Sequence, residues 1–251
     1  TIEAEGPGKI AALLAEPISG SSGAAIVPPD DYWPGVRRIC DEYGILLILD
    51  EVMTGFGRTG RAVAFQHWDI TPDILVSGKG LAGGYAPIGG VFASESVGRT
   101  LADARVNVMF HTFGAHPAAC AAAAEVLNIM AEQRLVERAA EKGARLKAEL
   151  ERVFTGHRHV AEVRGRGLLL AIEVVADTAT LEPFPERAGI TDRIVGAALE
   201  RGVFFYGGGT GEIRDIVCMG PEFVIDDSEL VRLAAVLREA VDAATGLSGS
   251  S

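Results

Sequence analysis

Two short apolar runs, each ending near a charged residue, restrict this chain more than any other feature. Ile45-Leu46-Leu47-Ile48-Leu49 closes at Asp50, and Ile74-Leu75-Val76-Ser77 leads through Gly78 to Lys79. A short apolar run bounded by polar and glycine residues reads as a buried strand. Both charges therefore stand where a strand gives way to a loop, and in open α/β sheets that edge is where ligands bind. A carboxylate and an amine delivered there by neighbouring strands are candidates for one site.

The surrounding pattern is that of a layered α/β domain. Residues 10–15 form another apolar run, stopped by Glu16-Pro17 and followed by a turn-rich loop, Ile18 to Gly23. Asp30 is an N-cap for a helix over 31–43, which carries apolar groups at Val36, Ile39, Cys40 and Tyr43 and has Gly44 as its stop. Ile88 to Ala93 reads as a further buried strand, 109–117 as a loop and 118–131 as an alanine-rich helix; an amphipathic helix follows over 134–154. From there the composition changes character. Val160 to Val175 holds two strand-like runs separated by Gly165-Arg166-Gly167. A helix over 190–201 turns Ile190, Ile194 and Leu199 inward, Val203 to Tyr206 is a strand, and Gly207 to Gly211 a flexible turn before a partner strand, 213–219. Asp226 with Glu229 forms a capping box for a last helix carrying Leu230, Leu233, Leu237 and Val241, and Ser248 to Ser251 is a disordered tail. The expected division falls near residue 132, into domains 1–131 and 132–251.

Acidic residues outnumber basic ones by 34 to 23, a net charge of −11 that argues against non-specific binding to nucleic acid or an acidic membrane. No apolar stretch approaches the roughly 20 residues needed to span a bilayer, and no signal peptide opens the chain, so a soluble, cytoplasmic protein is expected. Cys40, Cys120 and Cys218 lack metal-ligand spacing and read as buried thiols in a reducing compartment; no metal is expected. The chain opens Thr1-Ile2-Glu3-Ala4 rather than with methionine and is soon in a core strand, which reads as a fragment, a processed chain, or one whose first half precedes Thr1.

A lysine whose site holds back its proton attacks carbonyls and forms a Schiff base. Pyridoxal 5'-phosphate is a cofactor that needs such a lysine, together with an acid opposite its ring nitrogen. Taken alone, the pair is weak evidence: a lysine after a strand is more often a solvated loop residue, and an aspartate there is often a cap. A phosphate-binding loop is a poorer reading of Ser77-Gly78-Lys79-Gly80, because Gly80 stands where that motif needs Ser or Thr.

The neighbouring words change the balance. Glu16-Pro17-Ile18-Ser19-Gly20, Asp50-Glu51-Val52 with Thr54-Gly55-Phe56-Gly57-Arg58-Thr59-Gly60, Pro72-Asp73-Ile74, Gly78-Lys79-Gly80-Leu81 with Gly83-Gly84-Tyr85-Ala86-Pro87, and Thr112 with Gly114, His116 and Pro117 follow one another in order. Together they closely resemble the class-III pyridoxal-phosphate-dependent aminotransferases. The resemblance implies an α/β fold of the aspartate-aminotransferase type (fold type I), with the later part of the large domain over 1–131 and an α+β small domain over 132–251.

It also implies roles. Lys79 resembles the lysine that holds the cofactor aldehyde and then moves the substrate proton. Asp50 resembles the partner of the pyridinium nitrogen, and Val52 the aliphatic residue against one ring face. Thr112 resembles the threonine that reaches the cofactor phosphate of a second subunit, so a homodimer sharing its sites is implied, acting on an amino donor and an oxo-acid or aldehyde acceptor. Decarboxylases, racemases, aminomutases and lyases share the scaffold, and a non-catalytic fragment needing a complementing chain is a further alternative. Glu51 and Arg58 suit an ion pair holding their loop as well as they suit catalysis. Arg166 and Arg214 suit a surface role better than a bidentate grip on a substrate carboxylate. The residues that hold the phosphate at a helix start, and the aromatic that stacks on the ring, belong upstream of Thr1 in this family, and without them cofactor binding is expected to be weak.

Overall fold

The computed structural model describes residues 1–106, 111–210 and 213–246. After one helical turn, α1 (Ile2–Glu5), come β1 (Ala12–Ala15), α2 (Tyr32–Tyr43), β2 (Leu46–Asp50), β3 (Ile74–Ser77) and β4 (Gly90–Ala93). The sheet runs in the order β1-β2-β3-β4. The first three strands are parallel, with Asp50 opposite Val76, and β4 is antiparallel to β3. Parallel pairing brings the C-terminal ends of β1, β2 and β3 to one edge, so Asp50 and the Gly78-Lys79 step leave the sheet side by side.

Leu47 and Leu49 have no exposed surface, and each such burial stabilises the sheet by about 1.5–3 kcal/mol. Asp73 fastens β3 to β2: its Oδ2 accepts the Leu47 N–H and Arg37 Nη1–H, each at 2.8 Å. Burial alone would raise the Asp73 pKa, but these donors and the guanidinium charge hold it below the usual carboxylate value. As expected, α2 stops at Gly44, which takes the left-handed conformation at φ 66°.

The edge strand β4 departs from its sequence reading. Val91 and Phe92 are 69% and 51% exposed rather than buried, and among the described residues β4 pairs with β3 alone. Two helices follow, α3 (Glu95–Asp103) and α4 (Pro117–Glu132). The alanine-rich face of α4 packs Ala123 against Leu81 and Ala82, just beyond Lys79. Part of the loop expected over 109–117, and the tail 248–251, lie outside the described residues. Cys120 on α4 is exposed, whereas Cys40 and Cys218 are buried as expected, because the buried face of α4 runs through Ala119 and Ala123 instead.

The backbone separates into two compact units, Thr1–Pro17 with Pro28–Val136, and Ile18–Val27 with Glu137–Ser251. The second contains α5 (Leu135–Val153) from Glu137 onward, β5 (Val160–Arg166), β6 (Leu169–Val174), α6 (Ile190–Glu200), β7 (Tyr206–Thr210), β8 (Ile213–Met219) and α7 (Asp227–Thr245). Its sheet is antiparallel in the order β5-β6-β8-β7. Leu170, Ile172 and Val174 of β6 pack with Leu146 and Leu150 of α5, Ile194 and Ala198 of α6, and Leu230, Leu237 and Val241 of α7. At the start of α7 the Asp226 N–H donates to Glu229 Oε2 at 3.2 Å, half of the expected capping box.

Three local readings change here. β5 runs on through Gly165 and Arg166, leaving the turn to Gly167 and Leu168. Leu199 is 59% exposed; the inward position belongs to Ala198, four and eight residues after Ile194 and Ile190. Residues 207–210 are in a strand rather than a flexible turn, Gly211 lying outside the described residues, while of Val203 to Tyr206 only Tyr206 is in one. Glycine is needed there for close approach: a Cβ on Gly208 would lie 2.8 Å from Cys218 Sγ and 3.0 Å from Ala24 Cβ.

Ala24 belongs to the loop 18–27, which packs within the second unit. Arg164 of β5 holds it, donating from Nε to the Ala24 carbonyl at 2.8 Å and from Nη2 to the Gly23 carbonyl at 3.2 Å, while Nη1 pairs with Glu162 and Glu173.

The end of α5 is joined to α7 through His157. Its Nδ1 accepts the His159 N–H at 3.1 Å, so Nε2 carries the proton and donates to Asp242 Oδ1 at 2.9 Å. Arg238 Nε donates to the other Asp242 oxygen at 2.8 Å. Burial pushes the His157 pKa below its ordinary 6.5, assisted by the Arg238 and His159 charges and opposed by Asp242. The folded state therefore prefers neutral imidazole. This contribution is complete above pH 6.5 and is lost as pH falls through the lower folded value. Melting temperatures recorded between about pH 7 and 5, above the carboxylate range, should fall for the native protein and stay flatter for His157→Gln; parallel curves would rule the contribution out.

Among the described residues, no helix is long and apolar enough to cross a membrane.

Candidate active site

Lys79 leaves β3 with a φ of 38°, a left-handed conformation that costs a non-glycine residue of order 1–3 kcal/mol and tends to persist where the site uses it. The turn it opens, Lys79–Ala82, is anchored by buried Leu81 and Ala82, while the lysine itself is exposed. Among the described residues its amine has no hydrogen bond or ion pair.

Asp50 ends the neighbouring strand. Its Oδ1 accepts the Val52 N–H at 2.9 Å, a local turn that swings the chain out of the sheet. Among the described residues Oδ2 has no partner. The same turn brings Val52 over β3, where its methyl carbons lie 3.7 and 3.8 Å from the place a Cβ on Gly78 would take. Phe56 comes closer still to Gly80, 3.3 Å from the corresponding position. Asp50, Val52 and Lys79 are thus brought together by two strand ends and one turn. Thr112 is exposed in a turn closed by the Gly114 N–H to the His111 carbonyl at 2.8 Å, and among the described residues it has no hydrogen bond to these three.

Glu51 does not form the ion pair with Arg58 that is one of its two readings from the sequence. It has no exposed surface, and its carboxylate is met by neutral donors: Thr54 Oγ1 at 3.1 Å and Ala64 N at 2.7 Å on Oε2, and Phe65 N at 2.8 Å on Oε1. Burial raises its pKa, and these three hydrogen bonds oppose the rise. Nothing local in the motif announces this, because Ala64 and Phe65 lie thirteen and fourteen residues away. Arg214 donates from Nη2 to the Phe184 carbonyl at 3.4 Å, within the second unit. Among the described residues no cluster of three or more His, Cys, Asp or Glu could hold a metal.

The sequence model of the family described as aminotransferase class-III matches residues 1–241. This chain belongs to the class-III aminotransferases. It is 44% identical over 239 residues to an uncharacterized aminotransferase, YodT, of Bacillus subtilis, covering 93% of this chain and 54% of that protein. A taurine–pyruvate aminotransferase of Rhodobacter capsulatus is 37% identical over 249 residues, covering 96% of this chain and 52% of its own length. A solved amine transaminase from an uncultivated Pseudomonas species, in its PLP-bound form, has the same fold with a TM-score of 0.87 and 36% identity, over 99% of this chain and 55% of that one. The α/β class-III aminotransferase fold is therefore established, and the chain spans about half the length of the relatives it matches.

Proposed function

We propose that the protein carrying this sequence is a pyridoxal-phosphate-dependent aminotransferase that moves nitrogen from an amino donor to an oxo-acid or aldehyde acceptor. The observation that carries this reading is the delivery of Asp50 and Lys79 from adjacent parallel strand ends, with Val52 of the intervening turn packed beside the lysine's own glycine. These groups suit the cofactor: an exposed amine with no partner among the described residues for its aldehyde, a carboxylate oxygen likewise open to its ring nitrogen, and an aliphatic side chain for a ring face. When bound, pyridoxal phosphate supplies the electron sink.

The chain's own residues do the rest. Lys79 would hold the cofactor through its amine and, once freed, would carry a proton from and to the substrate carbon. The Asp50 carboxylate keeps a proton on the ring nitrogen by charge, and Val52 excludes water from one side. Thr112, exposed and without a partner among the described residues, is assigned to the cofactor phosphate of a second copy, which makes a homodimer the working assembly. The corresponding domain roles are a cofactor-binding large domain, in its later part, over 1–131 and a small domain over 132–251. A cytoplasmic setting fits the free thiols. Pyruvate is a reasonable first acceptor because a relative's name contains it.

Incubation of the protein with pyridoxal phosphate, a primary amine and pyruvate should yield alanine in proportion to amine consumed. Carbon dioxide release, racemised donor or no new amino acid would overturn the assignment.

A further inference from the structure

We infer that Glu51 is a positioning residue of the cofactor site: it acts through the turn it knots together, setting where Asp50, Val52 and Lys79 stand relative to one another. The inference rests on the functional reading above but concerns a residue that touches neither cofactor nor substrate.

Every polar group of Glu51 is engaged. Its N–H donates to the Val76 carbonyl at 2.8 Å, joining the end of β2 to β3 two residues before Gly78. Its carbonyl accepts the Gly55 N–H at 2.9 Å, and a Cβ on Gly55 would stand 2.8 Å from that same oxygen, so only glycine lets the turn close. The side chain then ties Thr54 in this turn to Ala64 and Phe65 in the 3-10 turn Ala64–Trp68. Two separate segments and one strand end are thereby held on a single residue.

That knot has a specific output. Asp50 precedes Glu51 and Val52 follows it, so the acid and the aliphatic wall are its chain neighbours. The turn it closes places Val52 next to Gly78 and Phe56 next to Gly80, on either side of Lys79. Lys79 keeps its left-handed φ of 38° between those two contacts, and a strained conformation persists only when its surroundings over-determine it.

The donors also explain why the residue is a carboxylate. Three of them converge on two oxygens, and an amide offers one oxygen plus an NH2 group that would face an N–H or hydroxyl donor. Glu51→Gln therefore keeps the shape and volume while turning an attraction into a clash of donors. Thr54→Val is milder, removing one donor from the set, and Thr54→Ser puts it back.

The test uses these three variants in the protein carrying this sequence, with pyridoxal phosphate as the probe. Equilibrium titration should show binding weakened about tenfold or more in Glu51→Gln and about two- to fivefold in Thr54→Val, with Thr54→Ser near native. The pH midpoint of the bound cofactor's absorbance should move in the first two, which simple loss of stability does not produce. In cofactor-free protein, hydrogen exchange at residues 78–80 should speed up in Glu51→Gln. Folded variants with native affinity, midpoint and exchange would overturn the inference. Thr54→Val decides the matter should Glu51→Gln fail to fold. Native protein that binds no cofactor would defeat the functional reading instead, and the exchange measurement would still judge Glu51.

Discussion

Replacing Lys79 with alanine should lower amino transfer by about 10⁴-fold or more and abolish the absorbance of covalently held pyridoxal phosphate. The size of the effect follows from the absence of a substitute. The sequence contains four lysines. Lys142 donates to the Ile225 carbonyl and Lys147 pairs with Glu151, both in the second unit, and Lys9 lies in the short turn before β1. Only Lys79 stands at the C-terminal end of a parallel strand beside a carboxylate. The fold should survive, because the turn is anchored by Leu81 and Ala82 and the lysine side chain is exposed. Retention of the covalent absorbance together with more than about a hundredth of native turnover would be incompatible with the proposed role.

Asp50→Asn should cost about 10²–10³-fold in kcat, a loss of the order found when one aimed charge or donor is removed from a site. The substitution separates structure from charge. An asparagine Oδ1 can still accept the Val52 N–H that Asp50 accepts at 2.9 Å, so the turn and its packing on Gly78 should be kept, with stability changed by no more than about 1 kcal/mol. What disappears is the negative charge on the other oxygen, and the ring nitrogen then loses its proton more readily. Steady-state kinetics beside a urea melt would check both halves. An unchanged kcat would remove Asp50 from the chemistry, and a collapsed melt would make its role structural.

How much of this was legible beforehand differs from element to element. The strands ending at Asp50 and near Lys79 were readable because a buried parallel strand writes itself as an unbroken apolar run. Helix α2 was readable down to its glycine stop, since a left-handed C-cap is a local requirement. Other readings failed where the deciding neighbour is distant in sequence. Gly207 to Gly211 looked like a flexible turn because glycine usually marks one, yet residues 207–210 lie in a strand where Gly208 answers to Cys218 and Ala24 pressing close. Ile88 to Ala93 looked buried from its composition, whereas among the described residues Val91 and Phe92 are exposed and β4 pairs with β3 alone. Glu51 suited an ion pair with Arg58 as well as it suited catalysis; in the fold, backbone N–H groups reach it instead.

The amine, the carboxylate, the aliphatic residue beside them and the family to which they point were all written in consecutive residues. Backbone propensity, apolar periodicity and turn chemistry act over a few positions, and local patterns record them faithfully. That Asp50 and Lys79 share one edge depended on β2 lying next to β3 in parallel. That Glu51 is a knot depended on Ala64 and Phe65 folding back over it, and that the loop 18–27 packs in the second unit depended on Arg164, some 140 residues away in sequence. Those outcomes come from the burial and hydrogen-bond satisfaction of the whole chain at once, and no window of the sequence contains both partners.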